Sequence, residues 1–142
     1  MNAASPVTPY DMIGGGEAVV AIVGHFYDLV EKEPDYAALR ALHAADLGPV
    51  RHSLERFLTG WLGGPRDWFE RGTCIMSMHR AFPITPAIAT QWSDAMGRAI
   101  TAYRTATPAL DADLAERMAE KMGHMAQGMI NLAAAKAEAP AA

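Results

Sequence analysis

The chain has 142 residues, which at roughly 100 to 200 residues per domain predicts one domain and leaves no room for a second. Its formal net charge is -4, from 12 basic and 16 acidic residues, which argues against nucleic acid or an anionic membrane as a partner. The hydrophobic fraction is 51%, but 28 of these residues are Ala, so 44 larger apolar or aromatic side chains remain to build a core.

Cys74 is the single cysteine, which excludes an intramolecular disulfide framework and a cysteine-ligated zinc or iron–sulfur site within one chain. The first twelve residues have neither a basic region nor an apolar one, and no stretch approaches the roughly 18 apolar residues of a membrane span. We therefore expect a protein of the reducing cytoplasm that is not exported.

The pattern of helix formers between turn residues predicts an all-α chain, because no period-2 alternation persists long enough for a sheet. The triple glycine at 14–16 predicts a bend. A first long helix is predicted over residues 17–33, ended by Pro34. Its apolar residues are spaced for one face: Val19, Val20, Val23, Phe26, Tyr27 and Val30.

A short helical turn is predicted over residues 35–42, followed by a helix with Pro49 in its first turn that ends at Gly63-Gly64. The apolar residues of that helix fall three or four apart: Val50, Leu54, Phe57, Leu58 and Trp61. Residues 65–73 are predicted to form a polar loop, and residues 74–80 a short apolar piece.

Thr85 is placed to cap a further helix with Pro86 in its first turn, and a last helix is predicted over residues 110–135. The last helix carries a methionine stripe, which is most simply core packing: Leu114, Met118, Met122, Met125 and Met129. We expect a frayed or disordered tail at residues 132–142, beyond a domain core of residues 9–131.

The five histidines are the main candidates for reactive or metal-binding side chains. The sequence has no HExxH motif and no paired Glu-x-x-His spacing, so it does not predict a multi-ligand metal site. His79 differs from the others because its neighbours, which include Met78 and Phe82, are mostly apolar. Two interpretations stay open from the residues alone: a satisfied core histidine, or an axial ligand to haem iron.

Four features occur together in this sequence: FYDLV, ERFLTGWLGGP, MHRAFPI, and a tryptophan thirteen residues after His79. With the glycine pairs at two bends, they form a combination that resembles the second group of the truncated haemoglobins over residues 9–131.

The resemblance implies a 2-on-2 helical sandwich around one haem b. It implies His79 as the proximal iron ligand and Tyr27, His43 and Trp92 as polar groups of the distal pocket. Val50 and Leu54 match positions that line the distal side. The haem contacts that it implies are Phe57, Trp68, Met78, Arg80 and Phe82.

The sequence departs from the family pattern on the proximal side. Met78 stands where a basic residue often precedes the proximal histidine, so the cation that pairs with a haem propionate is open among Arg66, Arg71 and Arg80. Trp68 stands where Tyr is common, so a hydroxyl–propionate bond is not expected.

Three function hypotheses follow. The first is a haem protein that binds O₂ and related diatomic ligands for redox chemistry, scavenging or sensing. Two hydrogen-bond donors worth roughly 1 to 3 kcal/mol each would slow O₂ release about ten- to ten-thousand-fold. Such slow release disfavours bulk oxygen transport. The second is a haem redox enzyme of peroxidase or nitric oxide dioxygenase type with an external reductase. The third is a haem-free helical interaction domain. The oligomeric state is left open between monomer and homodimer.

Overall fold

The computed structural model describes residues 7–70 and 83–130, and in these two ranges the chain forms seven α-helices and one 3₁₀ turn, without a strand. The helices are α1 Pro9–Ile13, α2 Gly16–Lys32, α3 Ala37–Ala41, α4 Gly48–Trp61, α5 Asp67–Glu70, α6 Pro86–Ala106 and α7 Ala112–Gly128. The 3₁₀ turn, Pro34–Tyr36, leads directly into α3. None of the described helices is long and apolar enough to cross a membrane. The all-α prediction is confirmed.

The bend before α2 depends on glycine. Gly14 and Gly15 have φ angles of +117° and +74°, which side chains with a Cβ rarely adopt. At its other end α2 stops at Lys32, two residues before Pro34, because the residue that precedes a proline is driven out of the helical region. Both predicted ends of the first long helix are therefore correct to within one residue.

Side-chain caps fix where α6 and α7 begin. The Thr85 hydroxyl accepts a hydrogen bond of 3.1 Å from the backbone N–H of Ile88, and Pro86 occupies the first helical turn, as predicted. A carboxylate oxygen of Asp111 accepts from the N–H of Leu114 at 3.1 Å, so α7 begins at Ala112.

Helix α1 is absent from the predicted elements. The Thr8 hydroxyl accepts from the N–H of Asp11 at 3.2 Å, and the Asp11 carboxylate accepts from the N–H of Thr8 at 3.3 Å, which closes a capping box. The N–H of Tyr10 donates to the Leu62 carbonyl at 3.0 Å, and so fastens α1 to the end of α4.

Three details of the sequence prediction are wrong. The predicted polar loop contains α5, which buries Trp68. Val20 is 55% exposed, because it lies off the face that α2 turns to the core. The last helix ends at Gly128 rather than near 135, since Met129 and Ile130 are not helical, and residues 131–142, with the predicted tail, lie outside the described residues.

The long helices form two pairs, α2 with α4 and α6 with α7, and α2 packs across α6 to join them. Ala95 and Ala99 of α6 have no exposed surface, so small side chains let this helix approach its neighbours closely. Phe26 of α2 contacts Trp92 of α6 with ring centroids 5.3 Å apart. The two pairs are the 2-on-2 arrangement that the resemblance implies, and they leave a cavity between them.

Candidate functional site

A cavity of about 450 Å³ opens between the two helix pairs. Its described lining comes from α2 to α7 and their connections: Tyr27, Leu39, Leu42, His43, Ala44, Val50, Ser53, Leu54, Phe57, Trp68, Ile84, Ile88, Ala89, Trp92, Met125, Ala126 and Met129. No charged side chain is among these residues. A largely apolar cavity of this size, with a few polar groups, is typical of a cofactor or ligand site.

Tyr27 brings a hydroxyl to the cavity from α2 and is 3% exposed. Its ring meets the rings of Phe26 and His43 edge-on, at centroid distances of 4.8 and 5.8 Å. Burial raises the pKa of Tyr27, and the charge of Arg51 opposes that rise in part. Its hydroxyl makes no hydrogen bond to any described residue, so a protonated donor lies at the cavity without an acceptor in residues 7–70 and 83–130.

Trp92 lies on α6, half-buried, and lines the same cavity. It is held there by Phe26, whose ring is tilted against the indole by 57°. Within the part of the chain that the structure describes, the indole N–H has no hydrogen-bond acceptor. An indole nitrogen can only donate, so this group, like the Tyr27 hydroxyl, is available to a bound ligand.

His43 also lines the cavity, from the segment after α3. Its Nδ1 lies 2.9 Å from the carbonyl oxygen of Leu39, and a carbonyl oxygen can only accept, so Nδ1 carries the proton. A neutral His43 therefore has a lone pair on Nε2.

The Leu39 peptide is itself held by α6. Its N–H donates to Oε1 of Gln91 at 3.1 Å, one residue before Trp92. Leu39 therefore binds both Gln91, through its N–H, and His43, through its carbonyl, and so links His43 to the helix that carries Trp92.

One wall of the cavity is apolar, as the resemblance implies. Val50 and Leu54 of α4 are half-buried beside it, and Phe57 is buried. Trp68 of α5 packs edge-on against Phe57, with ring centroids 5.1 Å apart and planes at 77°. The structure brings all four together with Tyr27, His43 and Trp92 at one cavity.

The residues predicted for the proximal side are His79, Met78, Arg80 and Phe82, and they lie outside the described residues. Arg71 lies outside them too, and Arg66 is exposed. Among residues 7–70 and 83–130, no three His, Cys, Asp or Glu side chains are grouped to hold a metal ion. The histidines at 25, 52 and 124 are exposed.

Sequence reasoning missed part of the lining. Met125 and Met129 of the methionine stripe were interpreted as core, yet both line the cavity with Ala126. Their spacing of four residues repeats that of Ile88 and Trp92 on α6, and the pairing of two such stripes is the signal that could have located the site.

Comparisons with known proteins show what this chain is similar to. A family model described as bacterial-like globin matches residues 8–131. Over 90 residues the chain is 32% identical to the group 2 truncated hemoglobin YjbI of Bacillus subtilis (strain 168), a match that spans 62% of this chain and 65% of that relative.

Solved structures match over more of the chain. A group II 2-on-2 hemoglobin from the plant pathogen Agrobacterium tumefaciens is 32% identical, with a TM-score of 0.80, over 92% of this chain and 98% of that one. A cold-adapted truncated hemoglobin from the Antarctic marine bacterium Pseudoalteromonas haloplanktis TAC125 is 28% identical, also with a TM-score of 0.80, over 88% and 98%. The cavity of this chain lies within the matched fold.

Proposed function

The chain belongs to the bacterial-like globin family, and from this premise we propose that Tyr27 and Trp92 donate hydrogen bonds to a diatomic ligand in redox chemistry, scavenging or sensing rather than bulk oxygen transport. As a globin it binds haem b and small ligands, so the haem-free interaction domain is set aside. When bound, haem supplies iron with an open coordination position and reversible one-electron redox chemistry.

The described cavity residues fit a porphyrin. The macrocycle is a large, flat apolar body, and the cavity offers about 450 Å³ with aliphatic and aromatic walls from α4, α6 and α7. The edge-on pair of Phe57 and Trp68 provides a stiff aromatic surface on one side. We assign the iron ligand to His79 on the resemblance, together with the contacts from Met78, Arg80 and Phe82.

One observation carries the proposal for the ligand: two hydrogen-bond donors reach the same apolar cavity and, among the described residues, neither has an acceptor. A hydrogen bond to a ligand that carries partial charge is worth about 1 to 3 kcal/mol, so a ligand that accepts from Tyr27 or Trp92 is held in the cavity by that amount. Burial keeps the Tyr27 hydroxyl protonated, so it remains a donor at any pH near neutrality.

The apolar wall supports the same function. Val50 and Leu54 line the same cavity as the donors, and an apolar lining strengthens a hydrogen bond because it lowers the local dielectric constant. A ligand held by two such bonds leaves slowly, and slow release suits chemical conversion or sensing better than delivery of oxygen.

A peroxidase-type activity is the second candidate, and the place of His43 at the cavity favours it. An imidazole that lines the same cavity as Tyr27 and Trp92 is a group that can move a proton of hydrogen peroxide. The two electrons that reduce the peroxide to water must then be restored by an external donor, which we expect to be a reductase or a small organic reductant.

Oxygen dissociation rates of the ferrous haem protein test the proposal. Tyr27→Phe and Trp92→Phe each remove one donor and keep the aromatic ring, so each should speed O₂ release about five- to a hundredfold, the equivalent of about 1 to 3 kcal/mol. Trp61→Phe is the matched control, because Trp61 packs against the core but does not line the cavity. Wild-type release that is fast and unchanged by either substitution would refute the two-donor proposal.

A further inference from the structure

Arg51 of α4 reaches two neighbouring residues of α2. Its Nη2 donates to a carboxylate oxygen of Asp28 at 3.1 Å. Its guanidinium carbon lies 5.7 Å from the centre of the Tyr27 ring. The side chain is 32% exposed and is not among the residues that line the cavity. One cation thus connects α4 to the residue that presents the hydroxyl.

This contact matters because the Tyr27 hydroxyl has no hydrogen bond to a described residue that would fix its direction. The position of the ring therefore depends on contacts to its edges and to its face. Phe26 and His43 meet it edge-on, and Arg51 provides a cation within the roughly 6 Å over which an aromatic ring attracts one. The ion pair with Asp28 limits the positions that the guanidinium can adopt.

A cation beside a phenol also changes how strongly its hydroxyl donates. A nearby positive charge stabilises negative charge on the phenol oxygen and so makes the hydroxyl more acidic. A more acidic O–H donates a stronger hydrogen bond to a ligand that carries partial negative charge. The charge of Arg51 acts on Tyr27 in this direction, against the effect of burial. The ion pair alone, half-exposed, would contribute little to stability.

We propose that Arg51 is a positioning residue for ligand binding: with Asp28 it holds the Tyr27 ring at the cavity and strengthens the hydrogen bond that Tyr27 donates. The inference rests on the proposed function of Tyr27. Arg51, which does not line the cavity, would thus affect the ligand affinity of the cavity through Tyr27.

Two measurements on the haem-loaded ferrous protein test it: the O₂ dissociation rate, and the infrared stretching frequency of bound carbon monoxide. Arg51→Gln should speed O₂ release about two- to fivefold, the equivalent of about 0.5 to 1 kcal/mol. It should also move the carbon monoxide stretch to higher wavenumber, since positive potential near the ligand oxygen is lost. Arg51→Lys keeps the charge and should restore both values in part.

Arg117→Gln is the matched control, because it breaks the exposed Arg117–Asp113 ion pair of 3.2 Å on α7, away from Tyr27. It should change neither readout. Wild-type values for both readouts in Arg51→Gln would overturn the inference, and so would equal losses in Arg51→Gln and Arg51→Lys.

The Tyr27→Phe background separates the two proposals. There, Arg51→Gln should have no further effect on either readout, because the hydroxyl through which it acts is gone. If Tyr27→Phe leaves O₂ release unchanged, the proposed function fails. If Tyr27→Phe speeds release while Arg51→Gln does not, the role of Arg51 fails and that of Tyr27 stands.

Discussion

The Nδ1 of His43 donates to the backbone carbonyl of Leu39 across 2.9 Å, and the Leu39 N–H donates in turn to Gln91. The two bonds link the histidine of the cavity to the helix that carries Trp92. Because the first bond uses the proton of a neutral imidazole, the lone pair of the neutral ring is on Nε2. We therefore propose different roles for His43 and Tyr27 toward a ligand.

His43→Phe separates these roles. It should change O₂ dissociation by less than about threefold, because a neutral ring with its proton on Nδ1 has no second N–H to donate to the ligand. The reaction with hydrogen peroxide should slow about a hundredfold, since the proton acceptor is removed. Stopped-flow absorption measures both rates. Tyr27→Phe, in contrast, should speed O₂ release. An increase in O₂ release as large as that of Tyr27→Phe would show that neutral His43 acts as a donor.

His79→Gly should abolish or greatly weaken haem retention, because the resemblance gives His79 as the one protein ligand of the iron. The measurement is Soret absorbance per chain after gel filtration. Added imidazole should restore the band, since the glycine leaves room for the free ligand. His124→Gly, at an exposed position of α7, is the control and should keep full occupancy. Full haem content with unaltered spectra in His79→Gly would remove that residue as the ligand.

Gly64→Ala tests how α1 is docked. A Cβ at Gly64 would lie 2.8 Å from Cδ1 of Tyr10 and 3.0 Å from the carbonyl oxygen of Thr59, so Tyr10 must move. We expect a loss of about 1 to 3 kcal/mol in the free energy of unfolding, measured with urea. Gly24→Ala is the matched control in α2, because a Cβ there meets nothing within 4 Å, and it should stabilise by about 0.5 to 1 kcal/mol. Equal effects of the two substitutions would contradict the close packing of Tyr10.

The buried tyrosine predicts a loss of stability at alkaline pH. Burial raises the pKa of Tyr27 above its ordinary value of 10.0, so the folded chain keeps the phenol proton where the unfolded chain loses it. The unfolded state then binds fewer protons, and the free energy of unfolding falls as pH rises above about 10, with a slope approaching about 1.4 kcal/mol per pH unit for this group.

Urea denaturation at a series of pH values measures that slope. Tyr27→Phe should make it shallower by the contribution of one tyrosine. An unchanged slope would contradict the burial of the phenol. Tyr36 contributes in the same direction, because burial and its hydrogen bond to Asp94 raise its pKa as well, so Tyr36→Phe should also flatten the slope.

The sequence predicted the long helices and most of the cavity wall, because helical periodicity and the caps at Thr85 and Pro86 are local signals. Helix α1 was missed, since five residues are too few to show a period. The methionines at 125 and 129 were placed in the core, because an apolar stripe looks the same whether it faces protein or a cofactor. The tautomer of His43 depends on a backbone carbonyl that only the fold brings within reach.

The roles of Tyr27 and Trp92 came from the resemblance and from no pattern in composition. What the structure adds is that both residues line one cavity and that neither side chain has a hydrogen-bond acceptor among the described residues. The contact from Arg51 could not be foreseen, because it joins residues 24 positions apart on two different helices.

A crystal structure of the ferric haem protein with azide or cyanide bound tests the central claim most directly, since it locates the two donors relative to a ligand. We predict that the Tyr27 hydroxyl oxygen and the Trp92 indole nitrogen both lie about 2.7 to 3.2 Å from ligand atoms that can accept a hydrogen bond. A ligand that neither group approaches within about 3.5 Å would contradict the account.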